Sequence, residues 1–293
     1  MIKIKRRYYS VAIARNTNGT IDPRTKSFKV LNNGKGFWVA DPFPVEKDGK
    51  LYIFGEMYEF NKVKGAICYG IVERDTERVV WKKIIEEEYH LSFPYVFLHE
   101  GTYYMCPESH KAQSLYLYKC THFPDRWVKC REIAKGNYND TIYYVQDKNV
   151  FGFTCVWNGL EDHLFSVFKL SNDGIYEAPK ENVRTIDYYM TRPAGKIIND
   201  SRNRRSIIVS QICKPKYGSG LVFKEFDLSW PQYSEKEIFR CLPNEIMTDK
   251  KNKYDGIHTY NLSDNYMVID LLETKTNITE TLFRIINKIK KLV

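Results

Sequence analysis

Hydrophobic positions along the chain fall in short aromatic-rich runs broken by polar turn clusters, a pattern that predicts strands and leaves helical periodicity confined to the C-terminus. One plan recurs at a period of roughly 50 residues. A polar or charged residue followed by Pro or Thr leads into an apolar strand, the chain turns at Gly, Asp or Asn, and a second aromatic-rich strand returns. Residues 38–57, 90–109, 138–155, 191–212 and 256–272 follow this plan, and aligning them superposes Asp41, Phe93, Asp140, Arg192 and His258 at intervals of 52, 47, 52 and 66 residues. A third strand follows the hairpins at 66–72, 115–119, 164–170 and 221–226, then a more charged outer strand as at 79–85 and 235–239. Four strands per unit is the plan of a propeller blade. The prediction is an all-β fold, a five-bladed β-propeller over residues 1–278, with residues 2–13 supplying a strand that closes the ring. The architectural rival is a pair of β-sandwiches; no linker or shift in composition divides the chain.

Residues 279–293 break the pattern. Leu282, Ile285, Ile286, Ile289 and Val293 repeat at helical spacing among Arg284, Lys288, Lys290 and Lys291, which predicts a short basic amphipathic helix. Two readings of it stand side by side: its apolar side caps the propeller, or it lies on an anionic membrane surface.

Charge and cysteine change the picture in a few respects. The formal charge of +9 is diffuse apart from this helix, and no recognition motif accompanies it, so nucleic acid is not an expected partner. The basic start, residues 1–7, leads into no apolar segment, and seven scattered cysteines form no C-x-x-C pair. They read as buried thiols of a reducing compartment, which gives a cytoplasmic location as the expectation, peripheral to the inner membrane face if the helix is an anchor. With no DXD-type motif or metal-ligand spacing, neither a metal nor a cofactor is expected.

In a propeller the innermost strands of all blades converge on one channel, so residues distant in sequence meet there. The converging set is Asp41, Asp140, Arg192 and His258, joined by Glu56, Glu108, Gln211 and Asp270 from the ends of second strands and by His90 and Ser92. Taken singly, each is an ordinary turn or strand-end residue. At equivalent positions they form a site. Carboxylates across a channel suit glycosyl chemistry, one handling a proton and another stabilising positive charge at the anomeric carbon. Asp41, Glu108 and His258 are the candidate catalytic groups. Arg192, with His258, is the candidate for holding a donor phosphate. Trp38, Tyr95, Trp157 and Tyr217 are candidates for stacking on sugar rings.

The segments ADPF at 40–43, HLSFPYVF at 90–97, YMCPES at 104–109, TRPAG at 191–195, SQICKPKYGSGLVF at 210–223 and GIHTYN at 256–261 together resemble a known family. WVADPF with its DGKLYIFGE hairpin is similar to the first blade of family 43 glycoside hydrolases. The whole set is closer to the propeller named after the N-terminal region of plant glucosamine inositolphosphorylceramide transferase, which also stands alone in bacterial surface-polysaccharide gene clusters. The resemblance implies a five-bladed propeller and carbohydrate chemistry, with Asp41 in the place of the hydrolases' general base. The chain departs from the hydrolase pattern at the second blade, where Phe93 and Pro94 stand in place of an Asp. The leading expectation is a transferase that moves a sugar, phosphorylated or furanose in one form, from an activated phosphosugar donor to a surface glycan acceptor, O-antigen or capsule. A family 43 type hydrolase and a non-catalytic glycan-binding propeller are the alternatives.

Overall fold

The computed structural model, which describes residues 4–73, 78–157, 163–171, 174–251 and 253–290, is a five-bladed propeller. Blade one contains Phe37–Lys47, Lys50–Glu59, Lys64–Val72 and Val79–Ile85, hydrogen-bonded in chain order. Blade two repeats the arrangement with Ser92–His99, Thr102–Glu108, Ser114–His122 and Arg126–Lys135. Tyr138–Gln146, Asn149–Trp157, His163–Ser171 and Gly174–Glu177 form blade three. In blade four Ile198–Asp200 is innermost, followed by Arg205–Ile212, Gly220–Ser229 and Gln232–Cys241, with the short Val183–Arg184 parallel to the outermost.

Blade five joins the two ends of the chain. Lys5–Arg15 pairs antiparallel with Tyr266–Thr276 from Lys5 opposite Thr276 to Arg15 opposite Tyr266. Tyr260–Leu262 lies inside this pair, and Ser27–Val30 and Met247–Thr248 lie outside it. The expected closing strand is thus present, two residues longer at its C-terminal end than predicted.

Aromatic side chains fill the spaces between blades. Phe43 of blade one meets Phe93 of blade two edge-on at 4.9 Å, and Phe223 of blade four meets Tyr260 of blade five at 4.9 Å. All four rings are essentially fully buried. Each such burial contributes about 1.5–3 kcal/mol, and edge-on geometry adds roughly 0.5–1.5 kcal/mol. Gly195 in TRPAG allows close blade contact, since a Cβ there would lie 1.9 Å from the Tyr260 carbonyl oxygen. That approach carries the 2.8 Å hydrogen bond from Tyr260 N–H to Ala194 C=O.

The period seen in the sequence has a backbone cause. The inner strands of blades one to three each carry one extra residue relative to their partners, between Ala40 and Phe43, Ser92 and Tyr95, and Asn139 and Ile142. Asp41, Phe93 and Asp140 occupy these bulges with φ of 51°, 44° and 47°. Asp tolerates the left-handed region; Phe rarely does. The bulge turns the Asp41 and Asp140 side chains toward the channel mouth, whereas Phe93 fills the interblade core.

The C-terminal helix, Ile278–Ile289, starts at Asn277, whose side chain accepts from Glu280 N–H at 3.0 Å. Its orientation corrects one of the two readings. Ile278, Leu282, Ile286 and Ile289 are 44–63% exposed, while Glu280 and Thr281 are buried. Arg284 turns inward, donating to Glu280 at 2.8 Å and to the Tyr58 hydroxyl at 2.6 Å. Apart from Phe283, which packs near Tyr58 and Phe60, the helix docks through polar contacts and presents its apolar stripe outward. The end of the ring is therefore not capped by that stripe. The cysteines also differ from expectation in part: Cys68, Cys106, Cys155 and Cys241 are buried, Cys120 and Cys213 half-buried and Cys130 exposed, all as free thiols.

Candidate functional site

A cavity of about 460 Å³ opens where the inner strands converge. It is lined by Asp41, Glu56, Tyr58, His90, Ser92, Glu108, His110, Asp140, Arg192, Tyr217 and His258, with Trp38 and Tyr9 in its wall. Lys5, Arg6, Arg7, Glu280 and Arg284 complete the lining from the two ends of the chain. Asp41, Glu108, Asp140 and His258 are only 3–5% exposed and form the floor. Lys5 and Arg7 are exposed at the mouth.

Two polar networks build the floor. In the first, Asp270 is fully buried beneath His258, which stands 2.6 Å away through Nδ1. Asp270 Oδ1 accepts the backbone N–H groups of His258 and Thr259, and Oδ2 accepts that of Asp41. Asp41 in turn accepts Phe93 N–H at 3.0 Å and the Thr259 hydroxyl at 2.9 Å, and lies 3.6 Å from His258 Nε2. Asp270 thus fixes the His258 ring and ties blade five to blade one, while Asp41 ties both to blade two. Asp41, His258 and Asp270 have donor atoms within 4.8 Å of one another, close enough to surround a cation. Both Asp270 oxygens are nevertheless committed to hydrogen bonds, so the geometry suits a positioned histidine better than a metal.

Burial opposes charging His258, but the charge and hydrogen bond of Asp270 outweigh it and raise the imidazole to about 9. Asp270 stays below the ordinary carboxylate range because the same His258 pairing and backbone donors overcome its burial. Asp41 is pushed up to about 8 by burial, with the neighbouring His258 cation opposing the shift. Asp41 is therefore a pocket carboxyl that changes protonation near neutral pH.

The second network surrounds Arg192. Its Nε donates to Asp140 at 2.5 Å and its terminal nitrogen to Glu108 at 3.3 Å. Gln211, fully buried behind them, donates to the same Asp140 oxygen at 3.0 Å and to Pro193 C=O at 3.1 Å. Burial works to raise Glu108, but its hydrogen bond from His110 and the Arg192 charge hold it near 2. Asp140 is raised to about 6, by burial first and by the Glu108 charge, against the pull of Arg192. On the opposite wall His90 Nδ1 accepts Gly65 N–H at 3.0 Å, which leaves Nε2 facing Glu56 at 3.2 Å. Glu56 Oε1 is buried and lacks a well-aligned hydrogen bond.

Most of the sequence-derived set meets in this cavity. Asp41, Glu56, His90, Ser92, Glu108, Asp140, Arg192, Tyr217, His258 and Trp38 line it, while Gln211 and Asp270 stand behind as supports. Trp38 stacks on Tyr58 at 4.6 Å and 7°, and Tyr9 stacks on His258 at 4.7 Å and 15°. Tyr95 is a correction: it packs between Phe43 and Tyr143 in the interblade core, away from the cavity. The side chain of Trp157 lies outside the described residues. Arg192 has a different setting from that expected of a phosphate ligand, since two carboxylates occupy its guanidinium. Sequence reasoning missed His110, Tyr9, Tyr58, Arg6, Arg7 and Arg284 as pocket residues. His110 directly follows the PES motif and Tyr58 lies two residues after Glu56 on the same strand, so both were findable; Tyr9, Arg6, Arg7 and Arg284 reach the pocket through ring closure and helix docking, which no local pattern reports.

Fold and site together define a five-bladed propeller with a central pocket of paired carboxylates, histidine and arginine. The chain belongs to the family described as glucosamine inositolphosphorylceramide transferase 1, N-terminal, which matches residues 27–267. It is 28% identical over 240 residues to glucosamine inositolphosphorylceramide transferase 1 of Arabidopsis thaliana, covering 76% of this chain and 30% of that protein. The Oryza sativa subsp. indica protein of the same name is 34% identical over 94 residues, 31% of this chain and 12% of the relative. The chain thus spans less than a third of the length of these curated relatives. Among solved structures, the GH43_1 enzyme from Xanthomonas citri complexed with xylose superposes with a TM-score of 0.57 at 10% identity, covering 82% of this chain and 88% of that one. A family 117 glycoside hydrolase produced by Zobellia galactanivorans superposes with a TM-score of 0.53 at 12% identity, covering 89% and 90%. These likenesses establish the fold.

Proposed function

We propose that the chain is a carbohydrate-active enzyme of the glycosyltransferase type, moving a sugar from an activated phosphosugar donor to a glycan acceptor. The observation that carries this reading is the division of protonation among the floor carboxyls. Hydrolysis of an alkyl glycoside by paired carboxyls needs both an acid and a base or nucleophile. Here Arg192 is ion-paired with both Glu108 and Asp140, Glu108 is held ionised, and Phe93 fills the corresponding second-blade bulge. Asp41 and Asp140 are both raised, to about 8 and about 6, but Asp140 is tied to Arg192 and Gln211, which leaves Asp41 as the one of the two without an arginine partner. A donor whose leaving group departs as phosphate needs no acid, and one base suffices for the acceptor.

In the proposed step the acceptor hydroxyl oxygen forms a bond to the anomeric carbon while the bond from that carbon to the phosphate oxygen breaks. The phosphate leaves with the electron pair, and Asp41 takes the acceptor proton. Ionised Glu108 stabilises positive charge at the anomeric centre, and the His258 cation, fixed by Asp270, faces Asp41 and favours its carboxylate form before the proton is taken. Trp38 and Tyr217 supply aromatic surface against the sugar.

The reading extends to location. The outward Ile278, Leu282, Ile286 and Ile289 stripe, with Lys288 and Lys290 nearby, supports peripheral contact with an anionic membrane, placing the pocket close to a lipid-linked glycan acceptor. Among the described residues no helix is long and apolar enough to cross a membrane. The free thiols, Cys130 exposed among them, support a cytoplasmic setting. A surface polysaccharide under assembly at the inner membrane face fits these features as acceptor. The test is incubation of wild type and Asp41→Asn with labelled sugar nucleotides and oligosaccharide acceptors: transfer by wild type and none by the variant supports the reading, whereas hydrolysis of neutral oligosaccharides alone replaces it with a glycosidase.

A further inference from the structure

If the donor carries phosphate, as the transferase reading requires, the floor offers it no free arginine. Arg192 is occupied by Asp140 and Glu108. We propose that a phosphate or diphosphate ester binds at the mouth of the same pocket, held by Lys5, Arg6 and Arg7 of the first strand.

These three consecutive cations all line the cavity. Among the described residues, none has a carboxylate within ion-pair distance, in contrast to Arg192 and Arg284. Arg6 Nε is buried without a hydrogen-bond partner, a costly arrangement that an anion would relieve. The strand does not fray from the ring at this point, because Lys5, Arg6 and Arg7 stand opposite Thr276, Lys275 and Thr274 in the blade-five ladder. The backbone that carries the three cations is therefore fixed before any ligand arrives.

The pocket is also segregated by charge along its depth. Asp41, Glu108 and Asp140 are at the buried floor, Lys5 and Arg7 are exposed at the mouth with half-buried Arg6 between them, and the one chain-end carboxylate of the lining, Glu280, is paired with Arg284. Tyr217 marks the boundary, with the Arg192 guanidinium 5.0 Å from its ring centroid and that of Arg7 5.5 Å from it. A sugar seated against the floor would direct an anomeric phosphate past Tyr217 toward Arg6 and Arg7. Nucleotide sugars and lipid-linked sugar phosphates share this chemistry.

Calorimetric titration with inorganic pyrophosphate tests the site. Wild type should bind, with affinity falling as salt is raised, and Arg6→Gln/Arg7→Gln should raise the Kd about tenfold or more. Lys5→Gln/Arg7→Gln, at exposed positions, serves as the second variant and should weaken binding in the same direction without changing the melting temperature. Uridine diphosphate and water-soluble dihexanoylphosphatidylinositol then separate a nucleotide from a lipid source, and tighter binding of either in an arginine-dependent manner supports the site. Pyrophosphate that fails to bind, or binds both variants as well as wild type, overturns it. Glycosyl transfer unaffected by the variants would remove the mouth site and leave the transferase reading intact; arginine-dependent pyrophosphate binding without transfer would do the reverse.

Discussion

Asp41 and Asp270 occupy one network but have different work. Asp41→Asn keeps an acceptor for Phe93 N–H and can donate to Thr259, so it should abolish turnover while moving the melting temperature by only a few degrees. Asp270→Ala strips the buried His258 cation and three backbone N–H groups of their partner, and should destabilise by about 3–5 kcal/mol in denaturant titration. The pH dependence follows from the same groups. Activity should rise as Asp41 ionises through about 8 and fall as His258 loses its proton through about 9, a narrow bell in kcat/KM. Stability should move differently. His258 has a raised folded pKa, so its stabilisation is complete below its usual 6.5 and is lost as pH rises through about 9. Asp41, also raised, favours the protonated form and loses its contribution between 3.8 and about 8. Melting temperature should therefore decline steadily from pH 6 to 9.5. Asp41, Glu108, Asp140, Arg192 and His258 were legible because each sits at a repeated position. The roles of Arg192 and Tyr95 were not, because residue type does not reveal whether a guanidinium is already paired or a ring faces core or cavity.

At the scale of elements, the blades were readable from strand alternation and turn residues, even to the outer strand Val79–Ile85. The bulges were visible only as a recurrence of Asp-Pro, Phe-Pro and Asp-Thr, whose left-handed φ requires a structure to recognise. The helix, predicted over 279–293, starts one residue earlier and runs to Ile289, with Lys291 and Val293 of the predicted stretch outside the described residues, and its facing was left open. Periodicity reports that a helix has two faces; it cannot tell which meets the protein when a buried Glu280–Arg284–Tyr58 chain supplies a polar dock. Leu282→Ser/Ile286→Ser should leave the melting temperature unchanged, since both side chains are exposed, and reduce sedimentation with anionic vesicles several-fold. Equal vesicle binding by the variant would remove the helix from the membrane account. Blade four has its own internal ion pair, Lys224 with Glu235 at 2.8 Å and both side chains fully buried. Lys224→Met should cost about 3–5 kcal/mol by leaving that carboxylate uncompensated.

The molecule as a whole joins its two chain ends in one blade and sets both at the mouth of one pocket. Ring closure by a strand over residues 2–13 was expected from sequence and Lys5–Arg15 supplies it, yet its consequence for the site was not expected, because the cations at 5–7 acquire a location only when the last blade is assembled. The repeated hairpins supplied the pocket floor, and the unrepeated ends supplied its rim. Sugar transfer from a phosphate-activated donor is the reaction we propose for this pocket. The most direct measurement is nuclear magnetic resonance of the products formed from a panel of sugar nucleotides with an oligosaccharide acceptor, in the presence of the wild-type protein. Sugar transfer gives a new glycosidic anomeric signal together with released nucleotide phosphate, and both should be absent with Asp41→Asn. Release of a free reducing sugar from the oligosaccharide, with the sugar nucleotides untouched, would contradict it.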